Sequence, residues 1–304
     1  MLNTSTKSET LRLDFFSYLR ALFNLMKPRV MSLVIFTCVV GLLIAPVKVN
    51  FLDAFFSIIA VALGSGAAGT LNMWYEADLD SVMSRTCLRP IPTGKVTKKQ
   101  ALIFGISASI ISIVILYLFS NLVATTILAI TILFYVVIYT IWLKKKTSWN
   151  IVIGGFAGSA AAFTGWSAIT GYLEMPAIIM GILVFLWTPS HFWSLAVLKK
   201  DDYSNANIPM LPSIVGKEKA IKYIVINTLL LIPFSLLLAL YGFGMIYLGV
   251  AVLTGIGLLY TNIRMIKEPE NNQIAWNAFK FSSPYLAIVF LAMVIDTIIR
   301  IPIM

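Results

Sequence analysis

Nine apolar runs, each close to the length that a helix needs to cross a bilayer, constrain this chain more than any other feature of its sequence. About 20 predominantly apolar residues are needed to span the hydrocarbon core as a helix. We predict spans near residues 30–47, 52–71, 100–119, 122–143, 150–170, 175–198, 223–241, 245–263 and 281–299. The predicted fold is therefore an all-α, polytopic integral membrane bundle of about nine transmembrane helices.

The composition agrees with a membrane protein and excludes several other classes. Hydrophobic residues make up 59% of the 304 residues, charged residues make up 12%, and the mean hydropathy is +0.90. These values exclude a water-soluble enzyme and a disordered chain. The net charge of +10 is divided among small basic groups between the apolar runs, without an aromatic-basic module. We therefore expect no nucleic-acid partner, and expect anionic lipid headgroups and anionic substrates instead.

The basic residues select one orientation in the membrane. If the N-terminus is cytoplasmic, all 23 Lys and Arg except Lys48 and Arg300 fall in cytoplasmic segments, as the positive-inside rule requires. We predict a cytoplasmic N-terminal segment at 1–28 and a single transmembrane domain at 29–304 in the cell membrane. The long polar loops at 72–99 and 199–222 should then face the cytoplasm, where binding groups concentrate.

The two long loops share a spaced pattern. Four residue types occur in both loops in the same order and with the same spacing. They are Asp80, Pro90, Gly94 and Lys95 in the first loop, and Asp202, Pro212, Gly216 and Lys217 in the second. Chance agreement among common loop residues is one explanation. However, each loop follows an even-numbered span, four helices apart, which favours a duplicated four-helix unit with a ninth helix added.

The first loop begins with acidic residues whose spacing predicts a cation site. Asn72, Glu76 and Asp80 follow one another at intervals of four, which places an amide and two carboxylates on one face of a helix. Asp78 points elsewhere and is expected to act as a cap or an arginine partner. Clustered carboxylates at a membrane boundary need a cation, and oxygen ligands without nearby Cys or His favour Mg²⁺. Because phosphate oxygens usually complete the Mg²⁺ shell, the pattern predicts a phosphorylated substrate.

Basic residues follow the acidic ones, and the second loop adds a further carboxylate. The guanidinium groups of Arg85 and Arg89 suit phosphate oxygens, and Asp202 is the repeat equivalent of Asp80. The alternative is that the arginines only obey the positive-inside rule and that Asp201 and Asp202 form a solvated loop end.

The one histidine of the chain, His191, lies in the sixth predicted span. An ionisable group inside a membrane is a functional candidate, and Pro189 interrupts helical hydrogen bonding just before it. A hydrogen-bonded packing residue is the alternative.

Several separate motifs between about Lys27 and Gly216 resemble those of the UbiA-type membrane prenyltransferases. They read KPRVMSLVIFT, NMWYEADLDSVMSRTCLRPIPTG, YTIWLKKKTSWNIVIGG, and TPSHFW followed by DY and IPMLP. The chain resembles the haem branch of this family more than the quinone branch. Quinone-type members carry Asp where Met73 stands here, and their second acidic motif has the form D-x-x-x-D. In this chain Asn205 and Ala206, and not Asp, stand four places beyond Asp201 and Asp202.

The resemblance implies Mg²⁺-dependent transfer of a farnesyl group from farnesyl diphosphate to a vinyl group of haem B, which gives haem O for terminal oxidase assembly. It implies catalytic roles for Asn72, Glu76, Asp80 and Asp202. It implies metal binding by Glu76, Asp80 and Asp202, diphosphate binding by Arg85, Arg89 and Lys144, and makes His191 a candidate for haem binding. The implied partners are farnesyl diphosphate, haem B, membrane lipids, and a partner in oxidase assembly or a haem A synthase.

Other functions remain open at this point. One is prenyl transfer to an aromatic quinone precursor, and another is transport of a lipid phosphate or a cation. A transporter would carry its acidic groups near mid-membrane, whereas the acidic groups here lie at one membrane face. A haem carrier without catalytic activity is the third alternative.

Overall fold

The computed structural model describes residues 14–299, 301 and 302, and the regular elements in this part of the chain are all helical. The helices are α1 (Phe15–Leu25), α2 (Pro28–Ile44), α3 (Phe51–Tyr75), α4 (Ala77–Val82), α5 (Lys98–Phe119), α6 (Leu122–Leu133), α7 (Asn150–Thr170), α8 (Met175–Leu198), α9 (Lys200–Asn205), α10 (Leu211–Val215), α11 (Lys217–Leu236), α12 (Met245–Lys267) and α13 (Asn272–Ile299). A π-helical segment, Phe134–Leu143, continues α6, and a 3₁₀ segment, Leu237–Tyr241, continues α11.

Eight of the described helices are long and apolar enough to cross a membrane. They are α3, α5, α6 with its π-helical continuation, α7, α8, α11 with its 3₁₀ continuation, α12 and α13. The ninth candidate consists of α1 and α2, which are bent by 57° at the break between them. α2 alone has 17 residues, the lower end of the range that spans a bilayer. The predicted all-helical membrane bundle is confirmed.

The long loops differ from the prediction because helices extend into them. The segment predicted as a loop at 199–222 contains α9 and α10, and α11 already begins at Lys217. In the first loop, α3 continues to Tyr75 and α4 follows at once. α5 begins with a capping box in which Thr97 and Gln100 exchange hydrogen bonds.

The basic residues Lys7, Arg12 and Arg300, used to predict the orientation, lie outside the described residues.

The helix order repeats at the offset that separates Asp80 from Asp202. The first half of the repeat consists of α2, α3, α4, α5 and α6. Its counterparts in the second half are, in the same order, α7, α8, α9, α11 and α12, and α13 is the added helix. The equivalent helices α2 and α7 pack closely through glycine. A Cβ on Gly165 would lie 2.1 Å from the carbonyl oxygen of Cys38, and one on Gly41 would lie 2.8 Å from that of Ala162. The bundle is therefore built around a backbone contact that larger residues would prevent.

One buried carboxylate lies outside the acidic loops and has a structural role. Asp296 in α13 is 1% exposed and accepts hydrogen bonds from the backbone N–H groups of Gly244 and Tyr247. These N–H groups lie at the start of α12, where no intrahelical acceptor exists. Asp296 is therefore a cap supplied by a neighbouring helix.

Candidate active site

Asn72, Glu76 and Asp80 are buried where α3 ends and α4 begins, with exposed fractions of 1%, 2% and 2%. Helical backbone bonds persist across the junction: Glu76 N–H donates to the Asn72 carbonyl at 3.0 Å, and Asp80 N–H to the Glu76 carbonyl at 2.8 Å. The three side chains therefore keep the predicted four-residue spacing, although the helix is interrupted at Glu76. The Asp78 side chain is exposed and pairs with Lys98 at 2.7 Å.

The two buried carboxylates each contact a cation: Glu76 one from a distant part of the sequence, and Asp80 one from its own loop. The Lys144 Nζ lies 2.5 Å from Glu76 Oε2, and the Arg89 Nη1 donates to both carboxylate oxygens of Asp80 at 2.7 Å. These pairs occupy a site where unpaired charge would be costly. Two of the three predicted diphosphate-binding residues thus lie beside the first acidic motif.

Lys27 is a third cation at this site, and its role was not predicted from the sequence. It lies just outside α2, in a left-handed conformation with φ of 53°, and its Nζ donates to Asn72 Oδ1. Burial, together with the charge of Arg89, lowers the pKa of Lys27 to about 7. The following Pro28 signals a break in the helix. The sequence carries no signal for the contact between Lys27 and Asn72.

The π-helical segment Phe134–Leu143 completes the contacts of Asn72. Thr140 Oγ1 accepts from Asn72 Nδ2 at 3.0 Å, and it donates its own proton to the carbonyl five residues earlier at 2.8 Å. Lys144 N–H likewise donates to the Tyr139 carbonyl, five residues earlier. The wider turn lets Thr140 reach Asn72 while Lys144 reaches the Glu76 carboxylate. The apolar sequence of this span predicted an ordinary α-helix, but π-helical turns are frequent at functional sites.

The second loop contacts the first through Asp202. Asp202 Oδ1 accepts from the Ser84 N–H at 3.0 Å, and the exposed Arg85 guanidinium lies 5.7 Å from the ring centroid of Tyr203. Asp201 is exposed. An apolar cluster holds the loops together; its buried members are Met83, Ile151, Ala196, Tyr203, Ala206, Ile208 and Met210. The structure thus places the two predicted loops against each other.

The carboxylates fit a cation in part. Glu76 Oε1 and Asp202 Oδ2 are buried oxygens without a hydrogen-bond partner in the described part of the chain, whereas both Asp80 oxygens accept from Arg89. Among residues 14–299, 301 and 302, no three His, Cys, Asp or Glu side chains are gathered closely enough to form a metal cluster. The predicted set of Glu76, Asp80 and Asp202 is therefore not assembled as a three-carboxylate site. The cations Lys144 and Arg89 neutralise two of its members instead.

His191 lies in α8, away from the acidic loops along the chain, and is 9% exposed. Its Nδ1 is 2.5 Å from Ser282 Oγ, and that hydroxyl donates its one proton to the Phe279 carbonyl at 2.7 Å. When the Ser282 hydroxyl donates to Phe279, Nδ1 carries the proton that His191 donates, and the lone pair lies on Nε2. Trp187 and Phe279 stack on the imidazole at 4.3 and 4.5 Å between ring centroids.

The chain is similar to proteins of one membrane enzyme family. The sequence model described as the UbiA prenyltransferase family matches residues 34–284. A protein named protoheme IX farnesyltransferase from Pelagibacter ubique (strain HTCC1062) is 47% identical over 98% of this chain and 100% of its own length. One of the same name from Sinorhizobium fredii (strain NBRC 101917 / NGR234) is 43% identical over 92% of this chain and 89% of its own.

Solved structures of low sequence identity share the fold. A digeranylgeranylglyceryl phosphate synthase superposes with a TM-score of 0.77 at 22% identity, over 92% of this chain and 99% of the other. A UbiA homolog from Archaeoglobus fulgidus bound to DMAPP and Mg²⁺ has a TM-score of 0.67 at 14% identity, over 91% of this chain and 99% of the other.

Proposed function

Because the chain belongs to the UbiA prenyltransferase family, we propose that it transfers a farnesyl group from farnesyl diphosphate to a vinyl group of haem B, which gives haem O. Relatives that carry the name protoheme IX farnesyltransferase match nearly the whole chain. The structural observation that carries the proposal is the buried array of three cations and two carboxylates at the end of α3. Such an array provides the charge that a diphosphate leaving group requires.

The diphosphate binds to cations that the protein already holds in position. Lys27, Arg89 and Lys144 converge on the Asn72, Glu76 and Asp80 side chains. The array has one more positive than negative charge when Lys27 is protonated, so it attracts an anion. Charge-assisted hydrogen bonds from these groups, and from Arg85 at the loop edge, stabilise negative charge as it develops on the leaving group.

The carboxylates hold Mg²⁺ in this proposal. Glu76 and Asp202 would hold the ion through Oε1 and Oδ2, which have no hydrogen-bond partner among the described residues. Asp80 would join them only by exchanging its two hydrogen bonds with Arg89 for the ion. The bound ion supplies further positive charge to the diphosphate oxygens. Before substrate binds, Lys144 holds the Glu76 carboxylate in place and Arg89 holds that of Asp80.

The reaction forms one carbon–carbon bond and needs no covalent enzyme intermediate. The bond between farnesyl C1 and oxygen breaks, and its electron pair leaves with the diphosphate. The π electrons of the haem vinyl group then form the bond to C1. The cation left beside the macrocycle takes the oxygen of a water molecule, which loses a proton and becomes the hydroxyl group. The apolar helices that surround the site keep water from the allyl cation until this attack.

We assign haem contact to His191. In the tautomer with the proton on Nδ1, its Nε2 lone pair would be available to iron, and the hydrogen bond between Nδ1 and Ser282 would fix the ring, as partners of metal-ligating histidines commonly do. The alternative is that His191 only packs between aromatic rings. Replacement by alanine should weaken haem retention more than it weakens farnesyl diphosphate binding. Unchanged haem affinity of His191→Ala would assign His191 to packing.

Product analysis tests the function. Purified protein in nanodiscs, given farnesyl diphosphate and Mg²⁺, should convert haem B into a farnesylated hydroxyethyl product that mass spectrometry detects. 4-Hydroxybenzoate, offered as the acceptor in a parallel reaction, should remain unmodified. Prenylation of the benzoate would favour the quinone branch, and intact haem with intact farnesyl diphosphate would favour a carrier.

A further inference from the structure

One face of α1 is apolar and exposed. Phe15, Phe16, Leu19 and Phe23 have exposed fractions of 69%, 78%, 44% and 50%. Three phenyl rings and a leucine on a helix of 11 residues form a contiguous apolar surface, which is unfavourable in water. This surface requires an apolar neighbour.

The helix has three sectors, each suited to a different environment. In projection at about 100° per residue, the four exposed apolar residues occupy one sector of roughly 100°. The next sector is exposed and polar, and consists of Ser17, Arg20 and Asn24. The third sector faces the protein and consists of Tyr18, Ala21, Leu22 and Leu25. A helix that lay only between protein and water would show a protein-facing sector and an exposed polar sector, but no exposed apolar sector.

The protein-facing sector packs on the first acidic loop. Ala21 and Leu25 are buried in a cluster with Met73, Ala77 and Ile91. Met73 and Ala77 directly follow Asn72 and Glu76 in the sequence. α1 therefore lies at the end of the bundle that carries the candidate site, and is bent by 57° from α2.

We propose that α1 lies in the headgroup region of the bilayer, in the leaflet on the side of the acidic loops, with its phenylalanine sector in contact with acyl chains. The occupant is lipid rather than a protein because α1 leads directly into the span α2, whose own surface includes the exposed Val30, and the apolar surface is thereby continued. The polar sector contains Arg20, and Arg29 follows in the first turn of α2. Both charges suit anionic headgroups.

The position of α1 also determines where the candidate site lies relative to the membrane. α1 supports the residues on either side of Glu76 and ends two residues before Lys27, which contacts Asn72. When α1 lies in the headgroup region of the bilayer, Lys27 and the acidic motif are therefore held at the membrane surface. Only this consequence rests on the proposed function.

Nitroxide scanning of α1 tests the placement without any assay of activity. In a background with Cys38→Ala and Cys87→Ser, single cysteines at positions 16, 19 and 23 carry the spin label. Positions 17 and 24 serve as matched controls on the polar sector, and position 21 serves as the protein-facing control. The protein is reconstituted in vesicles of phosphatidylcholine and phosphatidylglycerol. Relaxation by oxygen, which partitions into lipid, is compared with relaxation by an aqueous nickel chelate.

Labels at 16, 19 and 23 should relax more with oxygen than with the nickel chelate, and labels at 17 and 24 should show the reverse. The label at 21 should be protected from both reagents. Strong relaxation of 16, 19 and 23 by the nickel chelate would place this sector in water and overturn the proposal. Protection of these three positions from both reagents would show that protein, either a partner or residues 1–13, covers the sector, and would overturn it as well.

Discussion

At the residue scale, Asn72 is the side chain on which the candidate site depends most. Its amide oxygen accepts from Lys27 and its amide nitrogen donates to Thr140, so the amide can adopt only one orientation. Glu76 and Asp80, one and two helical turns onward, are held by Lys144 and Arg89. Segments from three separate parts of the chain thereby fix one short acidic stretch.

Thr140→Val should lower the rate of farnesyl transfer while the protein remains folded in the membrane. Valine has the shape of threonine but cannot accept from Asn72 Nδ2, and a buried unpaired donor costs about 1–3 kcal/mol. Thr131→Val is the matched control, because the Thr131 hydroxyl donates to the Ile127 carbonyl in the same helical span and has no other partner among the described residues. Equal rates in the two variants, measured by product formation, would show that Thr140 does not position Asn72.

Lys27 should take up a proton when farnesyl diphosphate binds above neutral pH. Its pKa of about 7 in the free protein means that it is mostly neutral at pH 8, and a bound anion raises the pKa by stabilising the charged form. Calorimetric titration at pH 8, without haem and in two buffers of different ionisation enthalpy, measures this uptake. Lys27→Met should abolish it, and uptake of the same size in this variant would assign the proton to another group.

At the element scale, the pairing of α2 with α7 sets the centre of the bundle. The backbone of α7 approaches α2 so closely at Gly165 that a methyl group would overlap a carbonyl oxygen. Close approach through small residues is a common basis of helix association in membranes. The equivalence of α2 and α7 in the repeat means that the two halves meet through corresponding elements.

Gly165→Ala should destabilise the protein by about 1–3 kcal/mol, the usual cost of overpacking. Gly249→Ala is the control, since a Cβ on Gly249 in α12 meets no atom within 4 Å. There the change should be neutral or should stabilise the helix by about 0.5–1 kcal/mol. Thermal unfolding in micelles measures both, and a Gly165→Ala variant as stable as the control would contradict the close packing.

The lengths of the apolar runs predict the membrane-spanning helices, and the repeated loop pattern predicts their order. Both features can be read directly from the sequence. The four-residue spacing of Asn72, Glu76 and Asp80 also predicts that they share one face of a helix, and the structure shows that this face is buried. The partners of these residues could not be predicted in the same way. The π-helical register near Thr140 has no pattern in the local sequence. Pro28 does indicate a break in the helix, but the left-handed conformation of Lys27 and its contact with Asn72 depend on tertiary contacts.

At the scale of the whole molecule, the charged loops and the apolar bundle are separated along the membrane normal. Both acidic loops follow helices that run in the same direction through the bundle, so they lie at one end, and their contact through Asp202 and Ser84 agrees with this arrangement. The basic residues near these loops predict that this end faces the cytoplasm.

Cysteine labelling tests the orientation. With Cys87→Ser in the background, Lys95→Cys should resist a membrane-impermeant maleimide in intact cells and should react in inside-out vesicles. Lys48→Cys, in an exposed link at the opposite end, should react from outside. Efficient labelling of position 95 in intact cells would contradict the predicted topology.

The most direct test of the account is mass-spectrometric measurement of farnesyl transfer to haem B by four variants of the acidic residues in nanodiscs. Glu76→Gln, Asp80→Asn and Asp202→Asn remove charge at nearly constant volume from groups that bind the ion or hold the cations, and each should abolish Mg²⁺-dependent product formation. Asp78→Asn removes an exposed carboxylate of the same loop, which pairs with Lys98, and should retain most activity. Equal losses in all four variants, or product formed by Glu76→Gln at the unsubstituted rate, would contradict the assignment of this buried array as the site of diphosphate departure.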